Sequence, residues 1–143
     1  MNIECYNHYP APINYEPNSI KKRLKRALKQ LVDEKLILPV SHLDDLKEIE
    51  FNLVDDLTIT DLHDKFMSDP TPTDVITFHH GEVFVSYDTA LRESKARDIA
   101  LSEELYRYHI HGLLHLAGYD DLTERDYEAM HKLQERLVYE LHE

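Results

Sequence analysis

The sequence predicts a single α+β domain, on three observations. Strand-type alternation is concentrated in the first 87 residues, with a helix or two between, and helical periodicity takes over afterwards. With 143 residues and only three glycines the chain has no flexible linker and no internal repeat, so no domain boundary is drawn. Apolar content of 42% and charged content of 31% suit a chain that buries a core.

The elements follow in order. Residues 2–7 (NIECYN) alternate weakly and read as a short strand, and "YPAPINYEP", with three prolines in nine residues, is a loop. From Ser19, the residues Ile20, Leu24, Ala27, Leu28 and Leu31 share one helical face, and Asn18 or Ser19 is the expected cap. "KEIEFNLVDD" (47–56) sets Ile49, Phe51 and Leu53 against polar partners and reads as a strand with one buried face. "TITD" has the form of a capping box, with Thr58 as cap, opening a short helix to about Met67 that "SDPTP" breaks. "DVITFHH" (74–80) and "EVFVSY" (82–87) are β-branched and aromatic runs on either side of Gly81, a strand pair in hairpin form. "DTALRESKARD" opens the helical half, and residues 101–117 and 123–142 form two more helices. In the last of them Tyr127, Met130, Leu133, Leu137 and Leu141 make the expected buried stripe.

The formal charge of −12 excludes a protein that coats nucleic acid through its net field. The charge is uneven, however. "KKRLKRALK" holds Lys21, Lys22, Arg23, Lys25, Arg26 and Lys29 and no acid, so it is either a solvated helix face or a handle for RNA phosphates. No apolar run approaches the ~20 residues that span a bilayer, and the start of the chain lacks the pattern of a signal peptide. Cys5 stands alone, which excludes an intramolecular disulfide; a reducing cytoplasm is the expected compartment and a buried apolar role the expected fate of Cys5.

The chemistry concentrates in "HGLLHLAGYDD" (111–121). His111 and His115, four apart on a helix, lie on one face with Cβ atoms about 5–6 Å apart, so both imidazoles can reach one ion. Gly118 can take the left-handed backbone that ends the helix and turns the chain back, and Asp121 then falls where a third ligand could approach. Asp120 is the alternative ligand, and two incidental helix histidines beside an acidic loop are the plain alternative to a metal site. The spacing is also that of the extended zinc-protease motif with aspartate as third ligand, but Gly112 stands where those enzymes carry their glutamate base. A zinc metallopeptidase-like hydrolase is therefore the second choice. His109, about 200° around the helix from His111, is expected to serve packing or surface.

"HGLLHLAGYDD", taken with "PTPTDVITF" upstream, resembles the YbeY family of metal-dependent endoribonucleases that mature ribosomal RNA. The family pattern H-G-x-L-H-L-x-G-Y-D-H is met by His111, Gly112, Leu114, His115, Leu116, Gly118, Tyr119 and Asp120. Its T-D-V-[LI]-[ST]-F strand is met by Thr73, Asp74, Val75, Ile76, Thr77 and Phe78, and "GEVFVS" is similar to its G-D-I-x-I-S strand. The likeness runs from about Glu48 to the C-terminus and is weaker before it.

The resemblance implies one domain over 1–143, a mixed sheet of about four strands packed by about five helices, and one zinc at a cleft. It implies His111, His115 and position 121 as metal ligands, with His111 and His115 as catalytic residues. The implied activity is single-strand-specific cleavage in rRNA processing, by metal-activated water or through the RNA 2′-hydroxyl, with RNA and ribosomal proteins as partners and no membrane. Asp74 is expected either to orient a ligand histidine through its free N–H or to bond local backbone. Two positions depart from the family. Asp121 replaces the usual histidine, as in one branch of the family; an anionic ligand makes the bound water less acidic and tolerates another divalent metal such as Mn²⁺ better. Met67 falls where L-N-x2-Y-R places an arginine thought to act on the phosphate, and Arg92, Lys95 and Arg107 are the candidate replacements. A catalytically weak, ribosome-associated RNA-binding factor is the third reading.

Overall fold

The computed structural model describes residues 1–140 of the chain. Its elements run β1 (Asn2–Asn7), α1 (Pro17–Asp33), a 3₁₀ turn (Leu43–Asp45), β2 (Glu48–Val54), α2 (Asp56–Met67), β3 (Val75–Thr77), β4 (Glu82–Ser86), α3 (Tyr87–Ala96), α4 (Leu101–Leu116) and α5 (Glu124–Glu140). The four strands make one mixed sheet in the order β1-β2-β4-β3. β1 and β4 flank β2 in parallel, and β3 closes the edge antiparallel to β4. The α+β domain of four strands and five helices is therefore as expected.

Alternation along β2 decides which face is covered. Ile49, Phe51 and Leu53 are fully buried and share one core cluster with Ile3, Cys5, Val83, Val85 and the buried residues of α1, α4 and α5. The opposite face holds a small cluster of Val54, Ile59 and Ile76 beneath α2. Each large side chain buried this way contributes about 1.5–3 kcal/mol. α4 packs against α1, α3, α5, β3 and β4, and most of its residues are buried, Glu104, Arg107 and His109 among them. A helix enclosed on so many sides is a rigid mount for its side chains.

Several local expectations are corrected. α1 begins at Pro17 with Glu16 at the cap position and no side-chain cap bond. Proline fits there because its fixed φ suits the first turn and that turn needs no N–H, so neither Asn18 nor Ser19 caps. The α2 cap is Asp55, whose carboxylate accepts the Thr58 N–H at 3.0 Å; that bond holds the Asp55 carboxyl below its ordinary value. Thr58 is thus capped and does not cap. β3 stops at Thr77 because Phe78–Gly81 forms the hairpin turn, closed by the Gly81 N–H on the Phe78 carbonyl at 2.9 Å. Tyr87 opens α3, capped by Ser86. Met130, Leu133 and Leu137 are buried as expected, but Tyr127 is 50% exposed. Leu141 lies outside the described residues.

Candidate metal centre

α4 presents His111 and His115 side by side, their Nε2 atoms 3.0 Å apart. The other ring nitrogens settle the tautomers. His115 Nδ1 lies 3.0 Å from the Tyr119 carbonyl, and His111 Nδ1 lies 2.8 Å from Gln134 Oε1. Both partners are oxygens that only accept, so each Nδ1 carries the proton. The Gln134 amide is oriented by its own Nε2, which donates to Glu135 at 3.2 Å. With both Nδ1 atoms donating outward, the two Nε2 atoms face one shared position 3.0 Å apart, which a cation can occupy.

Asp121 completes the group. Its Oδ2 is 3.9 Å from His111 Nε2, and the three ligand atoms lie within 4.8 Å of one another. Ligands about 2.0–2.1 Å from a tetrahedral ion sit about 3.3 Å apart, a spacing bracketed by the two observed contacts. Burial and then the neighbouring His111 lower the pKa of His115, favouring the neutral form that a metal requires. The donor set fits a divalent ion. Asp120, the other candidate, accepts the Leu122 N–H at 3.2 Å and shapes the turn.

The turn that delivers Asp121 is pinned. Gly118 has φ +106°, and a Cβ there would meet Leu38 Cβ at 2.9 Å. Tyr119 N–H returns to the Leu114 carbonyl at 3.0 Å, and the Tyr119 hydroxyl donates to the Leu36 carbonyl at 2.7 Å. Gly112 is equally constrained: a Cβ would lie 2.5 Å from Val83 Cγ1. Position 112 thus faces the sheet, so a glutamate base there would point away from the ion.

His111 and Asp121 line a cavity of about 350 Å³ shared with Asp74, Arg97, Arg107 and Tyr127. Asp74 is at the cleft, and of its two expected roles the structure shows the local one: its carboxylate accepts the Val75 N–H at 2.8 Å, while Gln134 and the Tyr119 carbonyl take the histidine N–H groups. Arg107 is nearly buried between Glu135 (2.9 Å), Glu104 (2.6 Å) and Glu103 (3.1 Å). Burial pulls its pKa down, but Glu135 and Glu104 outweigh that and raise it. Arg92 is held by Asp56 at 2.7 Å, and Lys95 is exposed; neither lines the cleft. Arg97 does line it. Its side chain is about half exposed, and its guanidinium rests on Glu104 at 3.1 Å. Sequence reasoning missed Arg97 and Gln134, since neither belongs to a motif and both are brought in by packing of α3 and α5 on α4. Met67 is 55% exposed and does not line the cleft.

The basic residues of α1 lie outside the cleft. Lys21 pairs with Glu4 at 2.9 Å and Lys29 with Asp33 at 2.7 Å, while Arg23 lies 3.6 Å over the Tyr106 ring. Lys22, Lys25 and Arg26 are exposed. His109 is fully buried, its Nδ1 donating to the Leu105 carbonyl at 2.7 Å.

Residues 12–142 match the family model for Endoribonuclease YbeY. A protein of that name from Thermus thermophilus is 32% identical over 134 residues, covering 85% of this chain and 91% of the relative. Another from Protochlamydia amoebophila is 38% identical over 100 residues, covering 62% and 67%. The solution structure of a Thermotoga maritima protein superposes with a TM-score of 0.60 at 23% identity, over 97% of this chain and 88% of that one, and shows a shared fold.

Proposed function

The chain belongs to the endoribonuclease YbeY family and is an endoribonuclease of rRNA processing; we propose that it works through one divalent cation, zinc first, held by His111, His115 and Asp121. The observation that carries this reading is the pair of opposed Nε2 atoms 3.0 Å apart beside the Asp121 carboxylate. A bound ion would supply Lewis acidity to a phosphodiester and to water. The protein's own groups do the rest. His111 and His115 are fixed in the tautomer that offers Nε2, and Asp121 contributes a negative charge that lowers the net charge of the site. The cleft beside them admits RNA.

The substrate in this reading is single-stranded RNA of ribosomal precursors, met in the cytoplasm. Lys22, Lys25 and Arg26, exposed on α1, attract its phosphates from outside the cleft, and Lys21, Arg23 and Lys29 support them from positions already engaged with the protein. Contact with ribosomal proteins belongs to the same proposal. The test joins metal analysis to cleavage. Wild type is expected to carry about one equivalent of metal and to cut single-stranded RNA, while His115→Ala loses both. Wild-type cleavage by His115→Ala, or a metal-loaded wild type that leaves RNA intact in single turnover, would overturn it; the latter would leave a binding factor with a structural metal.

A further inference from the structure

We infer that Tyr127 and His131 form a stacking ledge for one unpaired nucleobase beside the metal centre, with Arg97 receiving a phosphate of the same strand. This rests on the RNA-cleaving role proposed above and specifies how the strand is seated. Tyr127 and His131 lie one helical turn apart on α5, their ring centroids 5.5 Å apart and their planes within 12° of parallel. Both are exposed, Tyr127 by 50%, and both line the cavity that holds His111 and Asp121. Arg97, at the end of α3, lines the same cavity.

The charge balance leaves room for an uncharged contact. Asp74, Glu93, Glu104 and Asp121 all line the cavity; Glu104 is paired with Arg97 and Arg107 and Asp121 faces the proposed ion, so a polyanion still enters past Asp74 and Glu93. Arg107 lines it too, but its donors are committed to Glu103, Glu104 and Glu135. Arg97 spends one Nη on Glu104 and keeps about half of its side chain open, and its planar fork suits a phosphate. Stacking adds affinity without charge, about 1–3 kcal/mol per base, and accepts any base because each has a π-face. A base inside a duplex is already stacked on its neighbours and cannot offer that face. The ledge therefore selects single strands.

Steady-state cleavage of a single-stranded RNA tests it in the metal-loaded protein. Tyr127→Ala is expected to raise KM roughly ten-fold, with the loss falling on KM and not on kcat and with metal content retained. Tyr127→Phe, which keeps the ring, recovers most of the affinity, and Arg97→Ala weakens binding and flattens its salt dependence. An unchanged KM in Tyr127→Ala, or a Tyr127→Phe as impaired as Tyr127→Ala, overturns the ledge. A binding measurement separates this from failure of the enzymatic reading. The chain has no tryptophan, so Tyr127→Trp gives a single reporter. A short oligoadenylate should quench its emission, and the same strand annealed to oligouridylate should not. Quenching without any RNA cleavage leaves the ledge and removes the enzyme; cleavage without quenching removes the ledge alone.

Discussion

Gln134 Oε1 accepts a hydrogen bond from His111 Nδ1 at 2.8 Å, so a side chain of α5 fixes the Nδ1–H of a candidate metal-binding histidine on α4. Gln134 in turn donates to Glu135, which accepts from Arg107. This relay therefore ties His111 to a part-buried ion-pair network. Gln134 is only 7% exposed, so leucine can fill its volume while removing the acceptor. Gln134→Leu should weaken metal binding about 10- to 100-fold, as loss of a ligand's outer partner commonly does. Competition against a chromophoric chelator measures it. Wild-type affinity in that variant would mean the His111 ring is oriented by something else.

If His111, His115 and Asp121 hold an ion as proposed, metal and stability are coupled. An ion that binds only the folded state adds about 2.7 kcal/mol at a free concentration one hundred times Kd. Chelation should lower the melting temperature of wild type and leave that of His115→Ala where it was. Thermal unfolding with and without chelator reads the difference directly. Equal sensitivity in both proteins would place the stabilising ion elsewhere.

At Gly112 the close packing of α4 on the sheet can be tested apart from the ion. An added methyl would sit 2.5 Å from Val83 Cγ1 and 3.3 Å from Thr77 Oγ1, and both belong to strands. Gly112→Ala should therefore cost about 1–3 kcal/mol by overpacking and weaken metal binding as α4 shifts with His111. Adding Val83→Ala should restore part of the stability. Urea denaturation of the single and double variants decides it; additive losses would show that Val83 is not the obstacle.

What the sequence revealed and what it hid divide along a physical line. Alternation in 47–56 and the four-residue step from His111 to His115 are local periodicities, and each survived into β2 and α4. The α1 cap depended on which residue entered the helix first, and Pro17 took that place ahead of Asn18 and Ser19. Tyr127 fits the apolar stripe of α5 by spacing, but in the first turn that face borders the cleft and the ring stays exposed. Gln134 and Arg97 belong to the site only because α5 and α3 pack against α4, a relation that no single-segment pattern contains.

His109 makes stability depend on pH. It is wholly buried, and burial lowers its pKa to about 4. Its Nδ1 donates to the Leu105 carbonyl, and its Nε2 accepts from the Tyr15 hydroxyl at 2.9 Å. In the unfolded chain a histidine titrates near 6.5. Above that value both states are neutral and the fold keeps its full stability. As pH falls below it, the unfolded chain takes up a proton that the native ring refuses, so stability declines until the folded value near 4 is passed. Between pH 7.5 and 5 the loss attributable to this residue is about 2 kcal/mol. Urea midpoints at the two pH values, with chelator present so that no metal exchanges, should fall in wild type. In His109→Phe the drop should be smaller, although that protein is less stable at both because Tyr15 loses its acceptor. Equal pH slopes in the two proteins would remove His109 as the cause.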